Sequence, residues 1–417
     1  MEAPWFSRLF GRFQEPLGTK SAGEFLSLLR PKAKEIITNA ELEGLLKKKR
    51  KLKIKLGVDP TGSELHLGHA MPLMFLRLFQ RAGHEIHFII GDFTARIGDP
   101  SGRTDKRSDL SEREIAKNMK SYERQIAPII NLKKIKIHKN SKWLAGMPLG
   151  EFLKVTASVS FGEVAQREDF RARVRAGSGV SLREANYSSL MAIDSLHLNP
   201  DIEVGGIDQL LNFMQTREIM SASGKKPEVI LATPILEGTA GDGRKMSKSF
   251  HNYIALGAAP DDQFGLVMSI PDKLLLSYFI SFGDIFEEEI HELDSYVGRA
   301  PFEAKKELGM LIVALLHGEK KAKKAREDFE RKFSSRAYQK GDEVSVSLSL
   351  PAPLLDALLH AFGGKLSKSR IRALIRQRAV RRIGGGAPET LSDESASIAD
   401  GDLIKAGKLN LFRFKKK

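Results

Sequence analysis

The sequence predicts an α/β protein in which a parallel sheet covered by helices is followed by an all-α domain and a small α+β domain. Strand-like and helix-like patterns alternate from residue 53 to residue 130. Residues 260–337 are rich in helix formers and contain no strand-like run. A basic amphipathic stretch and turn-rich strands end the chain. Strands that alternate with helices favour a parallel sheet.

Composition points to a polyanionic partner. The 417 residues include 67 Lys and Arg against 52 Asp and Glu, which gives a net charge of +15. This excess favours nucleic acid over a membrane, although an evenly spread basic surface that serves only solubility stays an alternative. The absence of cysteine excludes disulfides, thiolate zinc sites and a cysteine nucleophile.

No membrane or secretion signal stands out. The longest apolar runs, such as 311–316, are far shorter than a bilayer requires. The aromatic and basic N-terminal stretch 1–15 lacks a signal-peptide core. We expect a cytoplasmic protein with an N-terminal arm, and an organellar presequence is the alternative.

The individual elements follow from hydrophobic spacing. Residues 22–49 have a helical pattern, and strand 53–58, helix 67–82, strand 85–91 and a helical segment 111–130 come next. Residues 140–196 are mainly helical, interrupted by the flexible stretch 176–180. Residues 338–352 form a linker or an edge strand, and helices are expected at 354–359 and 367–377.

A strand-to-helix turn is the first candidate site. The strand breaks at Asp59-Pro-Thr-Gly62, and a helix begins around His66-Leu-Gly-His69. Unpaired backbone N–H groups at a helix start attract phosphate. Taken alone, the two histidines could also be accidental neighbours or a metal pair, but the glutamate of a zinc-peptidase motif is missing.

A second candidate site is the glycine-rich loop Gly241-Asp-Gly-Arg-Lys-Met-Ser-Lys-Ser249. Its Lys245 and Lys248 could close on a leaving pyrophosphate. Arg244 stands where a P-loop requires lysine, so we exclude a P-loop. The similar run 365–369 leads into an amphipathic helix, and we interpret it as part of an RNA-binding surface instead.

These two motifs, in this order, resemble the signature pair of class I aminoacyl-tRNA synthetases, and the residues between them resemble the bacterial tyrosyl-tRNA synthetase family. The other matching segments, which extend the resemblance over nearly the whole chain after about residue 33, are Gly91-Asp-Phe-Thr94, Gly98-Asp-Pro-Ser-Gly-Arg103 and Gly205-Gly-Ile-Asp-Gln209. The resemblance implies an N-terminal arm (1–32), a Rossmann-like catalytic domain (33–252), a helical domain (253–345) and a linker with an S4-like RNA-binding domain (346–417). Within the catalytic domain it implies a dimerisation insertion at about 140–196 and a mobile loop.

The resemblance also implies roles for individual residues. Thr61, His66 and His69 would hold phosphates and ribose, Arg103 would join them, and Lys245 and Lys248 would close over pyrophosphate. The further ATP-binding residues are Asp59, Gly68, Asp208, Gln209, Met246 and Ser247. Asp194 would accept the phenol hydroxyl of tyrosine, Asp99 with Tyr187 would hold the ammonium group, and Lys55 and Met191 would complete the pocket.

RNA binding is expected from the C-terminal domain, where eight Lys or Arg and no acid occur between residues 365 and 382. The expected RNA-binding residues are Lys365, Lys368, Arg370, Arg372, Arg376 and Arg378. The implied partners are tRNA, tyrosine, ATP with Mg²⁺ as a substrate complex, and a second copy of the chain. No tightly bound cofactor, protein-held metal or membrane is expected.

Three residues depart from the family pattern. Met191 replaces a usual glutamine, Lys55 stands where many members have tyrosine, and Ile207 replaces a small hydroxyl residue. Two alternatives to tyrosine charging therefore stay open. One is a class I synthetase for another amino acid, and the other is an RNA-binding homologue without aminoacylation.

Overall fold

The computed structural model has two compact units, residues 1–326 and 327–417. The residues that it describes are 9–13, 15–48, 50–100, 110–333, 343–364, 366–377, 379–383, 388–407 and 410–417, without the side chains of 332 and 333. Arg103, Lys365 and Arg378, three residues with predicted roles, lie outside these ranges.

The first unit contains a six-stranded sheet in the order β1-β6-β5-β2-β3-β4. Only the edge strand β1 is antiparallel to its neighbour, so the predicted α/β class with a parallel sheet is confirmed. The strands are β1 (Glu35–Ile37), β2 (Lys53–Val58), β3 (Glu85–Ile90), β4 (Ile135–Lys139), β5 (Ile202–Gly206) and β6 (Val229–Thr233).

The order of these strands fixes where a ligand can bind. The chain runs from β2 outward to β3 and β4 and then returns to β5 on the other side of β2. Successive connections therefore leave the carboxyl ends of β2 and β5 in opposite directions. This opens a crevice at the point where open α/β sheets bind ligands.

Helices connect the strands of the first unit. They are α1 (Ala22–Leu29), α2 (Asn39–Leu46), α3 (Leu67–Arg81), α4 (Thr94–Ile97), α5 (Glu112–Ile126), α6 (Ser141–Leu144), α7 (Leu149–Thr156), α8 (Phe161–Ala165), α9 (Glu168–Arg175), α10 (Leu182–Ala185), α11 (Tyr187–Leu198) and α12 (Leu210–Ala222). Helices α6 to α11 confirm the predicted helical character of residues 140–196.

The helical pattern predicted over residues 22–49 is confirmed for two parts of the segment and wrong for the residues between them. Helix α1 ends at Leu29, the segment Arg30–Lys32 is a short 3-10 helix, and β1 follows before α2. Pro31 cannot donate a helical hydrogen bond, and Ile36 and Ile37 favour a strand. The side chain of Thr38 then caps α2 by accepting from Glu41 N, so helix formation restarts there.

The N-terminal arm packs on the rest of its unit. The side chains of Leu9 and Phe13 are buried, and the guanidinium of Arg12 donates to both carboxylate oxygens of Glu289 at 2.6 Å. The bidentate pair and the buried apolar side chains anchor the described part of the arm.

Within the predicted helical stretch 260–337, the described residues 260–333 form helices joined by short connections and contain no strand. The helices are α13 (Pro260–Met268), α14 (Leu275–Phe282), α15 (Ile290–Arg299), α16 (Pro301–His317) and α17 (Glu319–Phe333). In the described part of the chain no single helix is long and apolar enough to span a membrane; the pair Pro260–Met268 and Asp272–Phe282 meets that test only together, across a bend of 107°.

The second unit is an α+β fold. Its five-stranded sheet has the order β10-β9-β12-β13-β7, and a buried cluster that includes Leu358, Ile371 and Phe414 forms its core. Strand β7 lies at the edge, which confirms the edge strand predicted within 338–352. The elements are β7 (Val344–Leu348), β8 (Ala352–Pro353), α18 (Leu354–Phe362), α19 (Lys368–Arg376), β9 (Val380–Ile383), β10 (Glu389–Thr390), β11 (Ser397–Ile398), β12 (Leu403–Ala406) and β13 (Asn410–Lys416).

Candidate active site

A cavity of about 630 Å³ opens at the carboxyl ends of β2, β3, β5 and β6. It is lined by every residue that the sequence predicted for tyrosine or ATP and that the structure describes. These residues are Lys55, Asp59, Thr61, His66, Gly68, His69, Asp99, Tyr187, Met191, Asp194, Asp208, Gln209, Lys245, Met246, Ser247 and Lys248.

The two histidines occupy the start of α3. The backbone N–H of His66 donates to Nδ1 of His69 at 3.2 Å, and the ring centroids are 3.9 Å apart. A Cβ on Gly68 would lie 3.1 Å from the His66 ring, so glycine allows the close packing of that ring. Because Nδ1 of His69 accepts a hydrogen bond, a neutral His69 carries its proton on Nε2.

Both imidazoles are neutral at pH 7. Burial, with the nearby His69, Lys248 and Lys245, lowers the pKa of His66 to about 3. Burial and Lys248 likewise lower the pKa of His69 to about 4. The buried Nδ1 of His66 has no hydrogen-bond partner among the described residues. Both rings can therefore form hydrogen bonds with a ligand without adding positive charge to the site.

The glycine-rich loop is held at the mouth of the cavity. Met246 is buried, and its N–H donates to Leu236 O at 2.8 Å. The ammonium of Lys248 reaches across to Glu64 O at 3.0 Å, and it would lie 3.2 Å from a Cβ on Gly62. A cation is thus placed directly over the turn that follows β2.

Asn252 clamps this loop, and sequence reasoning missed it. Its Oδ1 accepts from Ser247 N at 2.8 Å, and its Nδ2 donates to Lys245 O at 3.2 Å. A Cβ on Gly238 would lie 2.0 Å from Nδ2 of Asn252, so glycine is needed for the clamp to fit. No local pattern marks Asn252, because its partners become neighbours only when the loop folds back.

Asp194 forms the acceptor at the inner end of the cavity. Trp143 Nε1 donates to its Oδ1 at 2.8 Å, and Asn140 Nδ2 donates to its Oδ2 at 3.3 Å. Burial raises the pKa of Asp194 to about 6, and Lys55 together with these two donors opposes the rise. At pH 7 the carboxylate is mostly ionised and can accept a further hydrogen bond.

Sequence reasoning also missed Asn140 and Trp143. Asn140 follows β4 directly and Trp143 lies in the short helix α6 that comes next, at the same edge of the sheet as the predicted site residues. Their position after a parallel strand is the signal that could have identified them. Asn140 is held in one orientation, because its Oδ1 accepts from Phe93 N at 3.0 Å and its Nδ2 also donates to Thr94 Oγ1 at 3.0 Å.

A second carboxylate, Asp59, is held by two hydroxyl groups. Tyr187 OH donates to its Oδ2 at 3.1 Å, and Thr94 Oγ1 donates to its Oδ1 at 2.7 Å. Asp99, which the sequence predicted to hold a ligand ammonium group together with Tyr187, accepts from Gln209 Nε2 at 2.7 Å. Two acidic side chains therefore face the middle of the cavity, where a ligand ammonium group could bind.

Asp208 lies at the end of β5, also beside the cavity. Burial and the charge of Asp99 raise its pKa above the ordinary value. A Cβ on Gly206 would lie 2.3 Å from Oδ1 of Asp208, so glycine allows the carboxylate to fold back here.

Met191 and Ile207, two of the departures noted in the sequence, pack against the same apolar cluster. The buried members of that cluster are Phe213, Ile230 and Ala232. An amide at position 191 would face this apolar surface, whereas the apolar side chains of Met191 and Ile207 suit it.

The expected RNA-binding residues of the second unit lie on and around α19. Lys368, Arg370 and Arg376 are exposed, whereas Arg372 is partly buried and donates to Glu394 at 2.9 Å. Ser367 caps the helix by accepting from Arg370 N. The exposed cations can contact a polyanion, and Arg372 stabilises the unit.

Comparison with known proteins identifies relatives of this chain. The family model "tRNA synthetases class I (W and Y)" matches residues 47–334. The tyrosine–tRNA ligase of Thermotoga maritima is 36% identical over 397 residues, which cover 94% of this chain and 97% of that protein. The corresponding protein of Aquifex aeolicus is 37% identical, with coverages of 94% and 98%.

Solved structures show the same fold. A C-terminally truncated mitochondrial tyrosyl-tRNA synthetase of Aspergillus nidulans matches with a TM-score of 0.64 at 22% identity, covering 79% of this chain and 99% of that one. The tyrosyl-tRNA synthetase of Archaeoglobus fulgidus, solved with L-tyrosine, matches with a TM-score of 0.59 at 25% identity, covering 73% and 100%.

Proposed function

The chain belongs to the class I tyrosyl-tRNA synthetases, and we infer that it is a tyrosine–tRNA ligase that activates tyrosine with ATP and transfers the tyrosyl group to tRNA. The observation that carries this conclusion is the single cavity, which has a buried carboxylate, Asp194, at one end and the two histidines with Lys245 and Lys248 at the other. The carboxylate at one end can bind a phenol, and the histidines and lysines at the other end can bind a triphosphate.

We propose that tyrosine occupies the inner end. Its hydroxyl would donate to Asp194, and Asp59, Asp99 and Tyr187 would surround its ammonium group. An acceptor that is already buried rejects phenylalanine, because the carboxylate would remain without its donor; the general example of this effect is itself a tyrosyl-tRNA synthetase. Met191 contributes apolar contact in this pocket rather than a hydrogen bond.

We propose that ATP occupies the outer end. The first N–H groups of α3 and the neutral His66 and His69 would bind phosphate and ribose oxygens, together with Thr61. Asp208 and Gln209 would meet the ribose and the substrate, and Met246 and Ser247 would line the nucleotide. Arg103 keeps its proposed phosphate role. Magnesium would arrive with ATP, coordinated mainly by phosphate oxygens and water.

Catalysis would then depend on position and charge. The tyrosine carboxylate attacks the α-phosphate, the bond to the β-phosphate oxygen breaks, and pyrophosphate leaves with the electron pair. Lys245 and Lys248 would stabilise the charge that develops on the leaving group. No covalent bond to the protein is required, so correct placement of the two substrates supplies most of the rate.

We propose that tRNA binds the second unit, which would act as an S4-like RNA-binding domain, through Lys365, Lys368, Arg370, Arg376 and Arg378, with Arg372 as a supporting residue. The exposure of the described cations supports this role. We place the reaction in the cytoplasm, where tRNA would be charged for translation.

We further propose a homodimer formed through the helical insertion. Its large apolar side chains Leu149, Phe161 and Leu182 are 71%, 69% and 74% exposed. Exposed apolar groups on one segment indicate a protein interface, and a second copy of the chain is the proposed occupant. Light scattering of the Leu149→Glu/Phe161→Glu variant should give a monomer; an unchanged mass would refute this interface.

The test of the activity is ATP/pyrophosphate exchange with each of the twenty amino acids. Exchange with tyrosine alone is expected. The Met191→Gln variant, measured alongside, shows whether an added amide changes tyrosine affinity. Exchange with another amino acid would assign the chain to a different specificity, and no exchange in a folded protein that binds tRNA would refute the enzymatic function.

A further inference from the structure

A buried charged group lies beside the inner end of the cavity, and the proposed mechanism does not use it. It consists of Lys55 on β2, Glu203 on β5, Glu228 just before β6 and Ser195 on α11. The side chains of all four are buried. We call these residues the buried quartet.

Strand register brings the quartet together. Lys55 and Glu203 are direct partners across the parallel pair β2–β5. The ammonium of Lys55 lies 2.7 Å from Oε1 of Glu203 and donates to Ser195 Oγ at 2.5 Å. Ser195 in turn donates to Oε1 of Glu228 at 3.0 Å. The sheet and α11 thus fix the four side chains that make these three contacts.

Counting charges shows that one carboxyl group must hold a proton. Lys55 is one cation, whereas Glu203, Glu228 and Asp194 are three buried carboxyl groups. Two adjacent buried carboxylates cannot both remain ionised at moderate cost. Burial, followed by the charge of Glu203, raises the pKa of Glu228 well above its ordinary value.

The same proton also gives hydrogen-bond partners to two buried carboxyl oxygens. Oε2 of Glu203 and Oε2 of Glu228 are buried and have no donor among the described residues if both groups are ionised. A protonated Glu228 can donate to Glu203, so one proton satisfies both groups. The quartet then carries one positive and one negative charge.

The charges of the buried quartet change the pKa of Asp194. It precedes Ser195 in α11, and Lys55 lowers its pKa whereas Glu203 raises it. Burial of Lys55 opposes its charge, but Glu203, Glu228 and Asp194 together raise its pKa above the ordinary value. Among the described residues, Asn140 and Trp143 after β4 donate to Asp194, and Tyr187 on α11 is close enough for the charge of Asp194 to raise its pKa. His138 on β4 and His197 on α11 lie against the ring of Trp143.

We propose that Lys55 acts as a positioning residue that keeps Asp194 ionised for the phenol hydroxyl of the substrate, and that Glu203 and Glu228, with one proton shared between them, hold Lys55 in place and partly offset its charge. Lys55 acts through Asp194 and makes no contact with tyrosine. This inference rests on the proposed function, because it assigns the substrate hydroxyl to Asp194.

The test compares the pH dependence of kcat/KM for tyrosine in three variants. The acid limb is the fall in kcat/KM at low pH, expected near pH 6 where Asp194 becomes protonated. Lys55→Met removes the cation that lowers the pKa of Asp194, so this limb should move up by about one pH unit. Glu203→Gln/Glu228→Gln removes the shared negative charge and should move the limb to lower pH. Glu228→Gln alone keeps a donor in place of the protonated carboxyl and should leave the limb within about 0.3 pH units.

Arg50→Met is the matched control. Arg50 pairs with Asp201 just before the amino ends of the same two strands, and its side chain is 48% exposed. Loss of this cation should not move the limb. Circular dichroism and thermal unfolding establish that each variant is folded.

Three results would overturn the proposal. Weaker tyrosine binding in Lys55→Met with an unmoved acid limb would mean that Lys55 contacts the substrate directly. A shift in the same direction for Lys55→Met and for the double glutamine variant would exclude a charge effect on Asp194. A limb displaced by Glu228→Gln alone would show that Glu228 is ionised.

A direct titration separates this proposal from the proposed function. Carboxyl-carbon NMR of protein labelled at aspartate, with the Asp194 signal assigned by Asp194→Asn, follows the same group without turnover. The opposed shifts should appear there even if wild type shows no tyrosine-dependent exchange. Equal Asp194 titrations in all variants would refute the role of the quartet.

Discussion

Replacement of Asp194 by asparagine should stabilise the free protein while it damages tyrosine activation. Burial raises the pKa of Asp194 from 3.8 to about 6. This difference corresponds to about 3 kcal/mol of destabilisation when the group is ionised in the folded state. Asparagine carries no charge, so it removes this cost.

The loss of one hydrogen bond offsets part of the gain. An asparagine oxygen can still accept from Trp143, but its NH₂ group would face the NH₂ group of Asn140, which cannot turn because Phe93 N holds its oxygen. The lost bond costs about 1 kcal/mol. The expected net gain at pH 7.5 is about 2 kcal/mol.

The sign of the pH dependence follows from the raised pKa. Between pH 4 and 6 the folded wild type binds more protons than the unfolded chain, so its stability falls as pH rises through this window. The penalty is complete above about pH 6 and mostly gone at pH 4.5. The advantage of Asp194→Asn should therefore shrink to about zero at pH 4.5.

Urea unfolding followed by tryptophan fluorescence at both pH values measures this difference, because Trp143 contacts the mutated side chain. Tyrosine-dependent pyrophosphate exchange should fall about 10- to 100-fold in kcat/KM, the loss expected for a hydrogen bond to a charged group. The reasoning would be refuted if Asp194→Asn were less stable than wild type at pH 7.5. It would also be refuted if the gain in free energy of unfolding were the same at both pH values.

Three further outcomes test the outer end of the cavity and the second unit. Lys248→Met should slow adenylate formation about 100-fold in single-turnover quench experiments and leave the Kd for tyrosine unchanged, and an unchanged rate would count against its role at pyrophosphate. Gly238→Ala should reduce the same rate at least tenfold, because the new Cβ displaces Asn252; Gly257→Ala, where nothing lies within 4 Å, is the control and should behave as wild type. Arg370→Ala should weaken tRNA binding and lower the slope of log affinity against log salt by about 0.7 to 0.9, and an unchanged slope would exclude a phosphate contact there.

The sequence alone determined the features that depend on neighbouring residues. The alternation of strands and helices, the phosphate-type turn at 59–69 and the lysine loop at 245–249 are local patterns, because backbone preference and motif chemistry act over a few residues. The helical pattern over 22–49 was wrong only between the two helices, because helical spacing was followed past Pro31, although proline and β-branched residues interrupt a helix.

The tertiary structure alone decided which distant residues meet. Asn140 and Trp143 hold Asp194 because β4 ends beside α11, and Asn252 holds Lys245 and Ser247 because the loop folds back. The sequence predicted Lys55 in the tyrosine pocket, and it lines the cavity, but only strand register shows that it pairs with Glu203. Such contacts depend on the order and register of parallel strands, which join segments far apart in the chain and leave no periodic trace in the sequence.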